Sequence, residues 1–462
     1  MRYRTATIAA AGATMLVLAF VPSAQARHAV FRPGAPGVGD AYFPKAGNGG
    51  YDVEHYDVRL SYNAKKRTID ATTRILARAT QNLSRFDLDY RGPAIKSLTV
   101  NGRRAAYKRS GQELQVTPPA GLPRGGGFVV SVRYAGKPKS INDPTLGVEG
   151  WVSTKDGAAV VSEPNGAPSW LPSNDHPTDK ASYSVRVTVP KPLKALSNGR
   201  MLGSWTRDGR TTYAWAERRP MSTYLATVVI GKLKVTSSRT PGGIPNTTAV
   251  STNHKKQAKF LHSATAKAID WEAKTFGRYP FGSTGGIRVN ADLGYSLETQ
   301  TRPIYAYSPD RPTIVHELAH QWFGDSVGLG RWKDIWLNEG FATYTEWLYG
   351  ERHGGKSAAA RFKADLKQPA KSLIWSPAPG APGRRNLFAP SVYERGAMTL
   401  QALRQRIGDR AFFTLLRRWA ATYRYRSATT PDFVRMAERV SHQNLDGFFH
   451  TWLYKKGKVT RW

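Results

Sequence analysis

His316-Glu317-Leu318-Ala319-His320 is the stretch that decides how the rest of the chain is read. In a helix, four residues turn the backbone through about 400°, so His316 and His320 stand one above the other about 5–6 Å apart. Two imidazole nitrogens at that spacing can share a zinc ion. Glu317, one step round the helix, lies beside the open coordination position, where a carboxylate can take a proton from water. Pro312 suits the first turn of such a helix, and Gly324 is a suitable stop.

A zinc ion that keeps a position for water needs a third protein ligand. The metzincin pattern would put Gly at 323 and His at 326, but Phe323 and Ser326 stand there. Glu339, in Trp336-Leu337-Asn338-Glu339-Gly340, is the better candidate. Eighteen residues separate it from His320, enough for a loop and the opening turns of a return helix over 333–349. Glu346 follows Glu339 by two turns on the same face. From there it can orient a ligand histidine through the far ring nitrogen.

The composition agrees with a metal held by His and carboxylates. The 462 residues include 68 Lys+Arg, 33 Asp+Glu, 10 His and no Cys, for a formal charge of +35. Without Cys there is no disulfide framework, thiolate metal site or cysteine nucleophile. A hydrophobic fraction of 40% with 11% aromatics excludes wholesale disorder. The positive excess is scattered and accompanies no nucleic-acid-reading motif, which argues against a specific nucleic-acid partner. It leaves room for association with an anionic cell-surface polymer.

Residues 1–26 read as a signal peptide. Arg2 and Arg4 precede an apolar run from Ile8 to Phe20, and Ala24-Gln25-Ala26 supplies small residues for cleavage after Ala26. The run is short for a membrane span, and no later segment approaches 18 uninterrupted apolar residues. The mature chain is therefore expected to be secreted and to lack a transmembrane segment. The Gly- and Pro-rich stretch 27–49 is expected to be a flexible arm. Residues 50–239 read as antiparallel strands, with Val185, Val187 and Val189 alternating and Asn101-Gly102, Asn198-Gly199 and Asp208-Gly209 as turns. The implied unit is a β sandwich or saddle. Thr240-Pro241-Gly242-Gly243 is taken as the domain boundary. Beyond it the pattern becomes mainly helical, beginning with a stripe of Phe260, Ala264, Ala268 and Trp271. The fold class is α+β and multidomain, with a β domain over 50–239 and a mainly helical domain over 240–462.

His316-Glu317-Leu318-Ala319-His320-Gln321-Trp322-Phe323-Gly324-Asp325, followed by Trp336-Leu337-Asn338-Glu339-Gly340-Phe341-Ala342, resembles the aminopeptidase N family of gluzincins. Leukotriene hydrolase shares that pattern. The resemblance extends over nearly all of the mature chain. It implies a thermolysin-like catalytic domain with one zinc ion on His316, His320 and Glu339, and Glu317 as general base. It also implies peptide substrates with a free N-terminus. The family's Gly-Ala-Met-Glu-Asn is matched by Tyr295-Ser296-Leu297-Glu298-Thr299, so Glu298 inherits the binding of the substrate ammonium while Tyr295 replaces the first Gly.

The resemblance implies a second anchor from the β domain, nine residues before Pro172 of Leu171-Pro172-Ser173-Asn174-Asp175-His176-Pro177, which gives Glu163. It further implies Tyr393 as the oxyanion stabiliser, since Val392-Tyr393-Glu394-Arg395-Gly396-Ala397 carries a Tyr three residues before Gly, with Arg for the usual Lys. The chain ends sooner after Tyr393 than in relatives with a long helical closing domain, so a more open cavity that tolerates longer peptides is expected. Two rival functions remain. One is a gluzincin with endopeptidase or epoxide-hydrolase activity; Glu163 and Glu298 speak against a pure endopeptidase. The other is a non-enzymatic basic cell-surface binding protein, which would have no use for Glu317.

Overall fold

Tyr51–Asn63 shows why the first half becomes sheet: Tyr51, Val53, Tyr56, Val58, Leu60 and Tyr62 are buried while polar residues between them face out. Period-two alternation of this kind suits a sheet with one covered face. In the computed structural model, which describes residues 29–462 apart from Asp292, this strand is central to an eight-stranded sheet. The order across that sheet is Arg200–Arg207, Arg210–Ser222, Lys180–Pro190, Tyr51–Asn63, Thr68–Ala79, Gly127–Gly136, Ala94–Val100 and Arg103–Arg104. Neighbours are antiparallel except for the central parallel pair, Lys180–Pro190 with Tyr51–Asn63. A second, antiparallel sheet runs Ser140–Asp143, Gly147–Ser153, Ala158–Val161, Val228–Gly231 and Lys194–Ser197. Tyr62 of the first sheet meets Trp151 of the second, with ring centroids 6.3 Å apart.

The C-terminal half, expected to be the catalytic one, has its own sheet, ordered Leu233–Arg239, Pro245–Ser251, Thr284–Arg288, Ile304–Tyr305 and Ser296–Leu297. The last of these is the edge strand that leads into Glu298. Helices α1 (Ala258–Phe276), α2 (Arg311–Ala319), α3 (Trp336–Arg352), α4 (Ala358–Leu366), α5 (Pro390–Ile407), α6 (Asp409–Thr422) and α7 (Thr430–Ser441) supply the remainder. Among the described residues, no helix is long and apolar enough to cross a membrane.

Three expectations are corrected. Thr240–Gly243 is not a domain boundary: it turns the hairpin between Leu233–Arg239 and Pro245–Ser251, both in the catalytic sheet. The β domain therefore ends before Leu233. Thr-Pro-Gly-Gly is turn chemistry, and it closes a hairpin as readily as it links domains. The 27–49 segment is not a free arm over its described part from Phe31 onward. Phe43 and Ala46 are buried, and Asp40 accepts from the Trp332 backbone N–H at 2.9 Å and lies 3.3 Å from His176 Nε2. Further bonds seat the stretch, among them the Gly47 N–H and the Asn48 side chain to the Asp89 carboxylate and the Gly34 N–H to the Arg85 carbonyl. On α1, Ala264 and Ala268 are covered as expected and Trp271 is half-buried, but Phe260 is exposed, and Leu261 and Ile269 complete the covered stripe. The signal peptide over 1–26 lies outside the described residues.

Candidate metal centre and substrate cavity

α2 starts at a clear cap, where the Asp310 carboxylate accepts from the Thr313 backbone N–H at 2.9 Å. Its last turn carries His316 and Glu317, and His320 follows at the C-cap with helical dihedrals. The two imidazole centroids are 4.9 Å apart. Glu339 enters from the first turn of α3, with its Oε2 at 3.2 Å from His316 Nε2 and 3.5 Å from His320 Nε2. Ligands at 2.0–2.1 Å from a tetrahedral zinc stand about 3.3 Å from one another, so these separations fit a shared metal better than they fit hydrogen bonds.

The far nitrogens are committed. His316 Nδ1 lies 2.7 Å from the Glu346 carboxylate, and His320 Nδ1 lies 3.1 Å from the Phe323 carbonyl. Both acceptors call for a proton on Nδ1 and leave the Nε2 lone pairs for the metal.

Glu317, His316, His320, Glu339 and Glu346 line one cavity of about 390 Å³ together with Glu163, Glu298 and Tyr393. Ligand atoms of Glu163, Glu298 and Glu339 lie within 4.8 Å of one another, as do those of Glu298, Glu317 and His320. Burial pushes the Glu317 carboxyl up to about 8; the two imidazoles pull it down, and Glu298 and Glu339 push it further up. A divalent cation beside it reverses that balance and favours the ionised base. Burial also raises the Glu163 and Glu298 carboxyls, and Glu298 and Glu339 are the nearest charges raising Glu163. One oxygen of each, Glu163 Oε1 and Glu298 Oε1, is buried without a partner. Carboxylates crowded like this lack a cation. The Tyr393 ring stacks over His316 at 6.0 Å between centroids, and burial with four nearby carboxylates keeps its phenol protonated.

Residues 298–452 match the Peptidase family M1 domain, and residues 52–225 match the Peptidase M1 N-terminal domain. The chain belongs to the M1 peptidase family. The crystal structure of the M1 zinc metallopeptidase from Deinococcus radiodurans superposes with a TM-score of 0.83 at 30% identity, over 92% of this chain and 98% of that one. A variant of that peptidase bound to a Tyr-Ser-Ala substrate gives the same score and identity, over 92% and 99% of the two chains. Mitochondrial aminopeptidase 2 of Saccharomyces cerevisiae is 25% identical over 87% of this chain and 46% of its own length. This M1 chain thus spans about half the length of the curated relatives it matches. Zinc is the cofactor that the family and the donor set indicate together.

Every residue expected from the sequence is brought to the cavity, including Glu346 and the distant Glu163. Several others that serve the M1 site were not read. Gln321 accepts from the Thr301 backbone N–H through Oε1 and donates through Nε2 to the Glu298 carbonyl, which ties the edge strand to the metal helix. Its place beside His320 was the available signal. Gly340 follows Glu339 and Gly396 follows Arg395 in the two motifs, and a Cβ on either would sit 2.8 Å from the other's Cα. Their contact presses α3 against α5 and so places Glu339 near Tyr393. Arg395 is fully buried, and its guanidinium donates to the carbonyls of Trp375, Thr451, Trp452, Lys455 and Gly457. A lysine has no fork to reach so many acceptors.

Proposed function

We propose that this chain is a secreted zinc-dependent aminopeptidase that removes N-terminal residues from peptides. The observation that carries this reading is the convergence of buried Glu163 and Glu298, each with an unpartnered oxygen, on the flank of the metal ligands. A substrate ammonium supplies the missing cation there, and its distance from the metal fixes cleavage after the first residue. Cleavage within a chain has no need of such an anchor.

When bound, zinc supplies a Lewis acid that polarises the scissile carbonyl and acidifies water. Glu317 takes the proton of the attacking water and returns it to the leaving nitrogen. Tyr393, kept protonated, donates its O–H to the carbonyl oxygen as that atom gains charge. Glu298 and Glu163 hold the ammonium, and Glu346 keeps the His316 ring in its tautomer and orientation.

The test is hydrolysis of free and N-acetylated aminoacyl anilides by one preparation. A charge-assisted pair to the ammonium is worth about 1.5–3 kcal/mol, so the free amine should react at least about tenfold faster. Equal turnover of the two overturns the assignment. Secretion rests on residues 1–26, and protein recovered from the medium should begin at Arg27; a retained leader counts against it. Adhesion to an anionic polymer rests only on the charge of +35, and should vanish as salt rises.

A further inference from the structure

Beyond the metal ligands, the other carboxylates and Tyr393, the cavity is lined by Leu146, Tyr295, Tyr307 and Phe388, with Gly294 and the small polar Ser296 and Thr313 beside them, and no described Lys or Arg takes part. Leu146 is delivered by a turn that Asp143 builds. Asp143 Oδ1 accepts from the Thr145 N–H at 2.9 Å, the Thr145 hydroxyl at 2.8 Å and the Leu146 N–H at 3.2 Å. The other oxygen, Oδ2, pairs with Arg384 Nη2 of the catalytic domain at 2.5 Å. On the opposite flank of the turn, the Tyr295 hydroxyl donates to the Val148 carbonyl at 2.6 Å.

Arg384 is itself held. Its guanidinium lies 5.1 Å over the Phe43 ring, and the adjacent Gly383 N–H donates to the Tyr42 hydroxyl at 2.8 Å. Phe388, which also lines the cavity, follows in the same segment. One ion pair therefore connects the turn that carries Leu146 to the segment that carries Phe388.

We propose that Asp143–Arg384 and Tyr295 fix the 143–147 turn as a wall of the cavity, and that this wall selects peptides whose first residue is apolar or aromatic while rejecting those that begin with Asp or Glu. This rests on the aminopeptidase reading. With the ammonium between Glu298 and Glu163, the first side chain lies against the remaining lining, whose large side chains are apolar or aromatic and whose only other polar side chains are the uncharged Ser296 and Thr313. Burying methylenes there is favourable. An acidic side chain would bring one more carboxylate among Glu163, Glu298, Glu317 and Glu339, with no Lys or Arg of the lining to meet it. Tyr295, at the position of the first Gly of the family motif that this segment resembles, contributes both ring surface and the bond that holds the turn. Arg384 touches no substrate in this scheme and acts as a positioning residue.

The experiment is a panel of Leu, Phe, Ala and Glu anilides, with N-acetyl-Leu anilide alongside, on the zinc-loaded native protein, Arg384→Ala, Asp143→Asn and Leu146→Ala. Native efficiency should be about tenfold higher for Phe than for Ala, and about a hundredfold higher for Leu than for Glu. Arg384→Ala and Leu146→Ala should each cut the Phe-over-Ala preference at least about fivefold, carried by KM rather than kcat, since the wall binds and does not react. Asp143→Asn keeps an oxygen for the turn and should fall between these variants and the native protein. Zinc content and melting temperature of each variant separate loss of the wall from loss of the fold.

Turnover of the Glu anilide equal to that of Leu overturns the proposal. So does a Phe-over-Ala preference untouched in folded Arg384→Ala and Leu146→Ala. A high free-to-acetylated ratio combined with a flat panel sinks this inference alone, whereas a ratio near one sinks the aminopeptidase reading with it.

Discussion

His316 and Glu339 lie 23 residues apart on two successive helices, whereas Glu163 and Glu298 reach the same cavity from a loop of the β domain and an edge strand of the catalytic sheet. The metal half needs only helical geometry and one short return. The ammonium half needs the two domains to be docked. Asn198 Nδ2 donates to the Gln300 carbonyl at 2.8 Å, the Gly199 N–H donates to the Thr301 hydroxyl at 2.7 Å, and Arg302 donates to the Ser197 and Gly199 carbonyls. These bonds fall just after Glu298, so the β domain holds the edge strand that presents it. Lys180 adds bonds from the β domain to the Asp325 and Ser326 carbonyls, in the loop after the metal helix. The two halves should therefore fail in different ways.

The hardest break is on the metal side. Chelation should abolish hydrolysis and one equivalent of zinc should restore it, while Glu317→Gln should keep the metal and lose about 10²–10⁴ in kcat, as expected for a lost general base. Metal analysis beside steady-state kinetics decides this, and full activity in stripped protein would show the metal half to be misread.

The ammonium half should break more gently and only for some substrates. Glu298→Gln should lower kcat/KM on free-amine substrates about ten- to a hundredfold, and Glu163→Gln less, with little further loss on an acetylated one. Neither should lower the melting temperature, because neutralising one of several facing buried carboxylates relieves repulsion. An unchanged free-to-acetylated ratio in Glu298→Gln would remove this residue from the ammonium site.

The smallest effect sharpens the comparison further. Glu346→Gln should weaken zinc binding about 10- to 100-fold, yet leave kcat near native once zinc is saturating and leave the free-to-acetylated ratio alone. A zinc titration followed by kinetics at saturation checks both. A changed ratio would mean that the two halves are coupled through His316.

Much of this is legible in the sequence alone. The spacing of His316 and His320 and the step from Glu339 to Glu346 are one and two helical turns, which local hydrogen bonding enforces without help from the rest of the fold. The return to Glu339 on a second helix is instead carried by the Trp336-Leu337-Asn338-Glu339-Gly340 motif. The alternation in Val185, Val187 and Val189 likewise announced a covered sheet face, and all three are buried. Reading failed where one local signal serves two global arrangements. Thr240-Pro241-Gly242-Gly243 is a turn in either a hairpin or a linker, and the Gly- and Pro-rich segment around Asp40 is loose until Trp332 and His176 meet its carboxylate.

The sequence by itself thus determined the pairing of His316 with His320, the place of Glu317 beside them, the step from Glu339 to Glu346 and the alternation of the sheets, because each depends on residues one or two turns, or two positions, apart. Only the tertiary structure decided which distant groups share the cavity. Glu163 beside Glu298, Gly340 against Gly396 and Asp143 with Arg384 are pairs between separate elements, and their contact depends on docking that no local period encodes. A buried carboxylate with an unpartnered oxygen is costly in isolation, so Glu163 and Glu298 stand side by side only because the surrounding fold holds them there.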